Sequence, residues 1–375
     1  MKLKILYIIS SLTPCGPDNV MADIIRNLDF NRFDVSVLAL STASNDNLKE
    51  ELENIGVKCY LLGLTRFEYF FLGRKKMRYI INMLSPDIIH THCIRSTILI
   101  GFIGKIKSLK CVTIHNYPHL DYVYGYGKII GSISGWLMLQ AIKKFDVKIS
   151  CSKAISNELK DKFTIDTISV QNGVKENRFI KDDKFSIRRR LGLPVDKNII
   201  ISVGSISKRK NTLFLVNALQ HLKRADVFVI FLGDGEQLAA CKANGTDQML
   251  FLGYKSNILE YLVASDIYIS ASRAEGLPLS VLEALNAGLP VVLSDIAPHR
   301  EVFMCAGNNT VGHIYKQNSQ NDFLEKLSLT LNDKNIRAYS QNSLLLGQKV
   351  FSDKVMGKRY EYIYLETAGL QKESI

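Results

Sequence analysis

Ile267-Tyr-Ile-Ser-Ala-Ser-Arg-Ala-Glu275-Gly-Leu-Pro-Leu-Ser-Val-Leu-Glu283-Ala-Leu-Asn-Ala-Gly288-Leu-Pro290-Val-Val-Leu-Ser294 reads as strand, loop, helix and strand in succession. Ile267 to Ser270 is a short apolar run without in–out alternation, the pattern of a strand covered on both faces. Gly276 and Pro278 keep Glu275 in a loop, so the two carboxylates do not share one helix. A helix is predicted from Leu279 to Ala287, capped by Gly288, with the next strand at Pro290 to Ser294. Such a unit builds a parallel sheet with helices on its faces.

The same grammar extends in both directions. Upstream, Ile199 to Val203 and Val227 to Leu232 are predicted strands, the second ending in Gly-Asp-Gly, and Met249 to Leu252 is a third. Thr212 to Leu222 and Ile258 to Ala264 are predicted helices. The N-terminal half repeats the plan, with strands at Leu3 to Ile9, Phe33 to Leu40, Val57 to Leu62, Asp87 to His90, Lys110 to Ile114 and Val147 to Cys151. Helices are expected at Val20 to Leu28 and Leu48 to Ile55. Two βα arrays in tandem give α/β domains spanning 1–177 and 178–352. The tail, 353–375, is helical in pattern, with Met356, Tyr360, Ile363 and Tyr364 on one side.

The length of 375 residues fits two domains, and 47% hydrophobic with 22% charged residues is a globular composition. No run of apolar residues is long enough to span a membrane; Ile129 to Ile142 comes nearest and is interrupted by glycine and serine. No cleavable leader is visible, so the expected location is cytoplasmic. Seven cysteines without a Cys-x-x-Cys pair are expected as reduced thiols. The net charge is +12, densest from Arg66 to Lys110, where Phe67, Tyr69, Phe70, Phe71 and Tyr79 are interleaved. That stretch suits the anionic inner face of a membrane as a peripheral attachment, or else an ordinary solvated helix; nucleic acid is not an expected partner.

Within the quoted stretch, the N–H groups of Leu279 and Ser280 open the helix and suit an anion such as a diphosphate. Glu283, one turn in, can accept hydrogen bonds from vicinal hydroxyls, as a ribose presents them, and Glu275 can reach hydroxyls of a sugar. Upstream, Ile200-Ser-Val-Gly-Ser205-Ile-Ser-Lys208-Arg209-Lys210-Asn211 is a strand followed by a basic loop. Lys210 can neutralise the charge of a departing phosphate. In the first array, Ser10-Ser-Leu-Thr-Pro-Cys-Gly16-Pro follows the first strand, and His90, His92, His115 and Asn116 stand at strand ends, where α/β sheets bind ligands. A histidine in such a place is as readily a structural one. No metal site is expected, since neither Asp-x-Asp nor metal-ligand His/Cys spacing occurs.

The segment from Glu275 to Glu283, two glutamates separated by seven residues with glycine after the first, resembles the signature of glycosyltransferase family 4. The basic loop at Lys210, the Gly-Asp-Gly turn at Gly233, and Asn172-Gly-Val174 resemble other landmarks of that family. The resemblance implies the GT-B fold, two Rossmann-like doubly wound domains facing across a cleft, with the last helix returning to the first domain. It implies a metal-independent enzyme without a cofactor that transfers a hexosyl group with retention. The donor would be a nucleoside-diphosphate sugar, uridine preferred and guanosine open, and the acceptor a lipid-linked surface polysaccharide of the O-antigen or capsule kind. By the same resemblance, Gly16, Ser205, Arg209, Lys210, Glu275, Gly276, Leu279, Ser280 and Glu283 would bind the donor. His115 with Lys210 and Glu275 would serve catalysis, and His92 and Asn116 would lie on the acceptor side. The family's usual arginine falls on Ser205 here, leaving Lys208 or Arg209 to supply its charge, and only one glycine of the family's pair remains, at Gly16. Two alternatives stand beside this reading: a GT-B nucleotide-sugar epimerase, and an inactive membrane-associated assembly partner, which these departures keep open.

Overall fold

The computed structural model describes residues 2–13, 15–41, 47–63, 68, 72–176, 182–332, 334 and 336–370. Arg66, Phe67, Tyr69, Phe70 and Phe71 of the basic, aromatic stretch lie outside them. The chain divides into two units, residues up to Gly173 joined by those from Asp353 onward, and Val174–Ser352.

The first unit runs β1 (Leu3–Ile9), α1 (Gly16–Arg26), β2 (Phe33–Ala39), α2 (Asn47–Asn54), β3 (Lys58–Leu61), α3 (Gly73–Leu84), β4 (Ile88–Thr91), α4 (Ile94–Gly101), β5 (Leu109–Ile114), α5 (Pro118–Tyr126), α6 (Lys128–Ile142), β6 (Val147–Ser150), α7 (Lys153–Phe163) and β7 (Ile168–Ser169). Its strands form one parallel sheet in the order β3-β2-β1-β4-β5-β6-β7. The winding reverses between β1 and β4, whose register pairs Ile5 with Ile88 and Ile8 with Thr91. Central strands are apolar on both faces because helices cover both; Ile5, Tyr7, Ile8, Ile89 and Val112 are buried.

The second unit runs α8 (Lys184–Arg190), β8 (Asn198–Val203), α9 (Thr212–Leu219), β9 (Val227–Leu232), α10 (Leu238–Ala243), β10 (Met249–Phe251), α11 (Ile258–Ala264), β11 (Ile267–Ser270), α12 (Leu279–Asn286), β12 (Val291–Ser294), α13 (Ala297–Ala306), β13 (Gly312–Tyr315), α14 (Gln320–Asn332) and α15 (Ile336–Lys349). Its parallel sheet has the order β10-β9-β8-β11-β12-β13, reversing between β8 and β11. The chain then returns to the first unit as α16 (Asp353–Thr367). That helix lies close on α1: a Cβ at Gly357 would come within 2.3 Å of Asn27 Cβ, and the Asn27 amide donates to Asp353 at 3.0 Å.

One helix start differs from expectation. Helix α1 begins at Gly16 rather than Val20, since Pro17 sits in its first turn, where no backbone N–H is needed. The segment around Ile129 to Ile142 is an unbroken helix whose glycines are a packing seam. Cβ atoms at Gly131 and Gly135 would approach Tyr122 O to 2.3 Å and Pro118 O to 2.4 Å, so α5 and α6 close together only because both positions lack a side chain. Among the described residues, no helix is long and apolar enough to cross a membrane.

Candidate functional site

In the second unit, the carboxyl ends of β8 and β11 carry the loops 204–211 and 271–278. Neighbouring strand ends on either side of a winding reversal leave a crevice, and these loops line it. Gly204 has φ +139°, a conformation open to glycine, and Lys210 Cε would sit 3.1 Å from any Cβ placed there. Gly233 brings its own Cα close beneath, where a Cβ would meet Gly204 O at 1.9 Å. The Gly-Asp-Gly turn is thus the floor on which the basic loop rests.

Glu275 is buried and holds the two loops together. Lys210 Nζ lies 2.6 Å from its Oε1, Arg209 Nη1 lies 2.9 Å from its Oε2, and Ser272 Oγ donates to Oε1 at 2.6 Å. Burial alone would raise its pKa. The charges of Lys210 and Arg209, with hydrogen bonds from Lys210 and Ser272, hold it down to about 2. Arg209 also donates to Ala274 O at 2.8 Å. Its guanidinium, rather than Lys208, is therefore the second cation beside Lys210. The Lys208 backbone N–H donates to Glu236, and Ser205 faces Ser207, with 3.1 Å between hydroxyls.

Helix α12 begins on this loop with Pro278 at its N-cap and no side chain capping it. The N–H groups of Leu279 and Ser280 have no intrahelical partner, and the helix dipole adds positive potential there. Gly276 is buried in the loop; Ser280 Oγ is fixed by the Tyr268 hydroxyl at 2.9 Å. Glu283 is half-buried one turn further on. Sequence reasoning missed Ser272, which orients Glu275, and His299 on α13. His299 is buried, with Nδ1 2.7 Å from Ser294 O and Nε2 without a partner. Burial, against the pull of Ser294 and Glu275, lowers its pKa to about 4. A histidine one turn after a strand end was the only signal available.

The first unit gathers the other expected residues at the ends of β1, β4 and β5. His92 Nδ1 lies 2.8 Å from His115 Nε2, and His92 Nε2 is buried without a partner. Burial pushes the His92 pKa well below its ordinary value and that of His115 down to about 4, so both rings are neutral near pH 7 and one donates its N–H to the bare nitrogen of the other. His90 is structural: its Nδ1 meets the Tyr364 hydroxyl at 2.6 Å and its Nε2 the Thr113 hydroxyl at 2.8 Å. Asn116 hydrogen-bonds the Tyr122 hydroxyl. Gly16 is exposed at the first turn of α1, beside Asp18, whose pKa burial raises to about 7. Among the described residues, no three His, Cys, Asp or Glu side chains gather as metal ligands.

Two family models match this chain. Residues 183–343 match that described as glycosyl transferases group 1, and residues 15–178 that described as glycosyltransferase family 4. The chain is 25% identical over 372 residues to the Escherichia coli O-antigen biosynthesis glycosyltransferase WclY, covering 96% of this chain and 98% of that one. It is 28% identical over 276 residues to the Escherichia coli UDP-Gal:alpha-D-GlcNAc-diphosphoundecaprenol alpha-1,3-galactosyltransferase, covering 68% and 69%. Among solved structures it is similar to Anabaena HepE in complex with UDP-glucose, with a TM-score of 0.81 at 16% identity, covering 98% of this chain and 100% of that one. That likeness shows the fold, which is that of the GT-B glycosyltransferases.

Proposed function

We propose, from the premise that this chain belongs to the glycosyltransferases described by those two models, that it transfers a hexosyl group from a nucleoside-diphosphate sugar, with uridine as the preferred base, to a hydroxyl of a lipid-linked surface polysaccharide, retaining the anomeric configuration. The observation that carries the reading is the convergence of Lys210 and Arg209 on Glu275 below the open N-terminus of α12. Two cations and free helical N–H groups are the complement of a diphosphate. The names of the relatives support the acceptor class: one is an O-antigen enzyme and another acts on a diphosphoundecaprenol-linked sugar.

In this reading Leu279 and Ser280 donate their N–H groups to the diphosphate, with Gly276 leaving room for it, and Glu283 accepts from the ribose hydroxyls. Lys210 and Arg209 turn from Glu275 to the phosphates, and Glu275, released from full pairing, accepts hydrogen bonds from the sugar. The anomeric C–O bond breaks with its electron pair leaving on the diphosphate, whose new charge Lys210 and Arg209 stabilise. The acceptor oxygen forms the new bond on the same face, and its proton passes to the departing phosphate oxygen. Ser205, Lys208 and Gly16 have weaker claims. His115, neutral and paired with His92, is proposed to steady the reacting groups, with Asn116 on the acceptor side.

A panel of nucleotide sugars read by thermal shift tests the donor. The true donor at about 100 times its dissociation constant is expected to stabilise by about 2.7 kcal/mol. Retention is checked by the anomeric coupling of the product. Stabilisation by no nucleotide sugar, or donor turnover that needs no acceptor, would defeat the proposal, the second favouring an epimerase.

A further inference from the structure

We propose that the α5–α6 hairpin is a membrane-docking wedge that inserts into the surface of an anionic bilayer. The N-terminal part of helix α6, through Trp136, is packed inside out for a water-exposed position. Toward α5 it presents Gly131 and Gly135, where a side chain would not fit. The bulky residues of this part are turned outward: Ile129 is 78% exposed, Ile130 63%, Ile133 55% and Trp136 59%, whereas Met138, Leu139 and Ile142 further along are buried. Ile129, Ile133 and Trp136 fall at i, i+4 and i+7, one above another on a single face. Tyr124 and Tyr126, both exposed, stand in the last turn of α5 just before it. A run of exposed isoleucines bordered by Tyr and Trp is costly in water, and it is the composition of the bilayer interface, where aromatic rings sit at headgroup level.

Charge selects the occupant. From residue 122 to residue 145 there is no acidic side chain, whereas Lys128 stands at the start of α6 and Lys143 and Lys144 just beyond its end, all exposed. Lysines flanking an apolar face match anionic headgroups around acyl chains. The hairpin is also stiff, since its glycine seam locks the two helices, so the face needs little ordering to insert. The hairpin follows directly on His115, so docking would hold that pocket near the headgroups where a lipid-linked acceptor lies. The docking itself does not depend on the donor or the sugar.

Trp136 is the only tryptophan in the chain, so its emission reports on this face alone. Adding phosphatidylcholine–phosphatidylglycerol vesicles to the full chain is expected to move the emission to shorter wavelength, with quenching by lipids brominated on their acyl chains. Ile129→Ser with Ile130→Ser and Ile133→Ser is expected to weaken vesicle sedimentation by about tenfold or more. Lys128→Glu with Lys143→Glu and Lys144→Glu is expected to abolish the preference for anionic over neutral vesicles. UDP-induced thermal stabilisation, unchanged in both variants, shows that they fold, and its failure in the wild type would count against the donor reading alone. An unshifted Trp136 emission, vesicle binding indifferent to the isoleucine changes, or a dimer broken by those changes in a chain that ignores vesicles would each overturn the proposal.

Discussion

Both units wind a parallel sheet the same way and reverse it at one point, yet the two crevices are chemically opposite. At the end of β8 and β11, Lys210 and Arg209 converge on a buried carboxylate whose pKa is held down to about 2. At the end of β4 and β5, three histidines are kept neutral by burial, their hydrogen bonds going to hydroxyls and to one another. One topology therefore supports a charged cluster in one unit and a neutral, hydroxyl-bonded cluster in the other. The difference lies in loop residues, which the sheet positions but does not choose.

Acid should separate the two most widely. The pKa values of His90, His92 and His115 are lowered in the fold, to about 3, well below 6.5, and to about 4 respectively. The unfolded chain then binds more protons, so stability is lost as pH falls below about 6.5, by up to about 1.4 kcal/mol per pH unit for each group. Asp18, raised to about 7, runs the other way, but it is one group against three. Glu275, lowered from 4.5 to about 2, contributes stability that is lost only below about pH 4.5, and in the second unit His299 is a histidine lowered to about 4. Calorimetry at pH 5 is expected to show the first unit melting before the second, as two transitions where pH 7.5 gives closer ones. Co-melting at both values would erase the contrast.

Substitution at the charged crevice should cost more than at the neutral one. Lys210→Ala is expected to lower kcat by about 10² to 10³, the loss of one electrostatic stabiliser of departing charge. His115→Ala is expected to lose less. Initial rates with donor and acceptor saturating decide, and equal losses would show that the first unit contributes as much electrostatics as the second. Smaller still is Glu275→Gln. It keeps the shape and frees both cations, so transfer should fall by about tenfold while UDP, titrated calorimetrically, binds at least as tightly. Weaker UDP binding would mean that Glu275 positions Lys210 rather than competing for it.

What was legible in the sequence follows the range of the interactions. Glu275, Glu283, Arg209 and Lys210 were readable because each lies on a short loop or first helical turn beside an apolar strand. Ser272 was not, although it stands only three positions before Glu275, because a loop serine carries no signal of which carboxylate it meets; His299 was not, because only the lateral order of β11 and β12 brings it near Glu275. His90 looked like a site residue at a strand end, but its partner Tyr364 arrives from 274 positions away. In Ile129 to Ile142 glycine and serine interrupt the apolar run. The glycines let the helix pack closely, and no periodicity in the segment tells which face meets α5. The bounds of α1 shifted because Pro17 starts a helix as readily as it ends one.

The return of α16 has a consequence for how the protein is made. Tyr7, His90 and Thr113 are synthesised early, but the hydroxyls that satisfy them belong to Tyr360 and Tyr364, near the very end. On the ribosome, the half of the molecule that emerges first must wait, with a polar cluster in its core incomplete, while Val174–Ser352 emerges as one uninterrupted stretch. The second-born unit is thus the first able to finish. A chain stopped before Tyr360 would leave the older half unsealed rather than merely shorter.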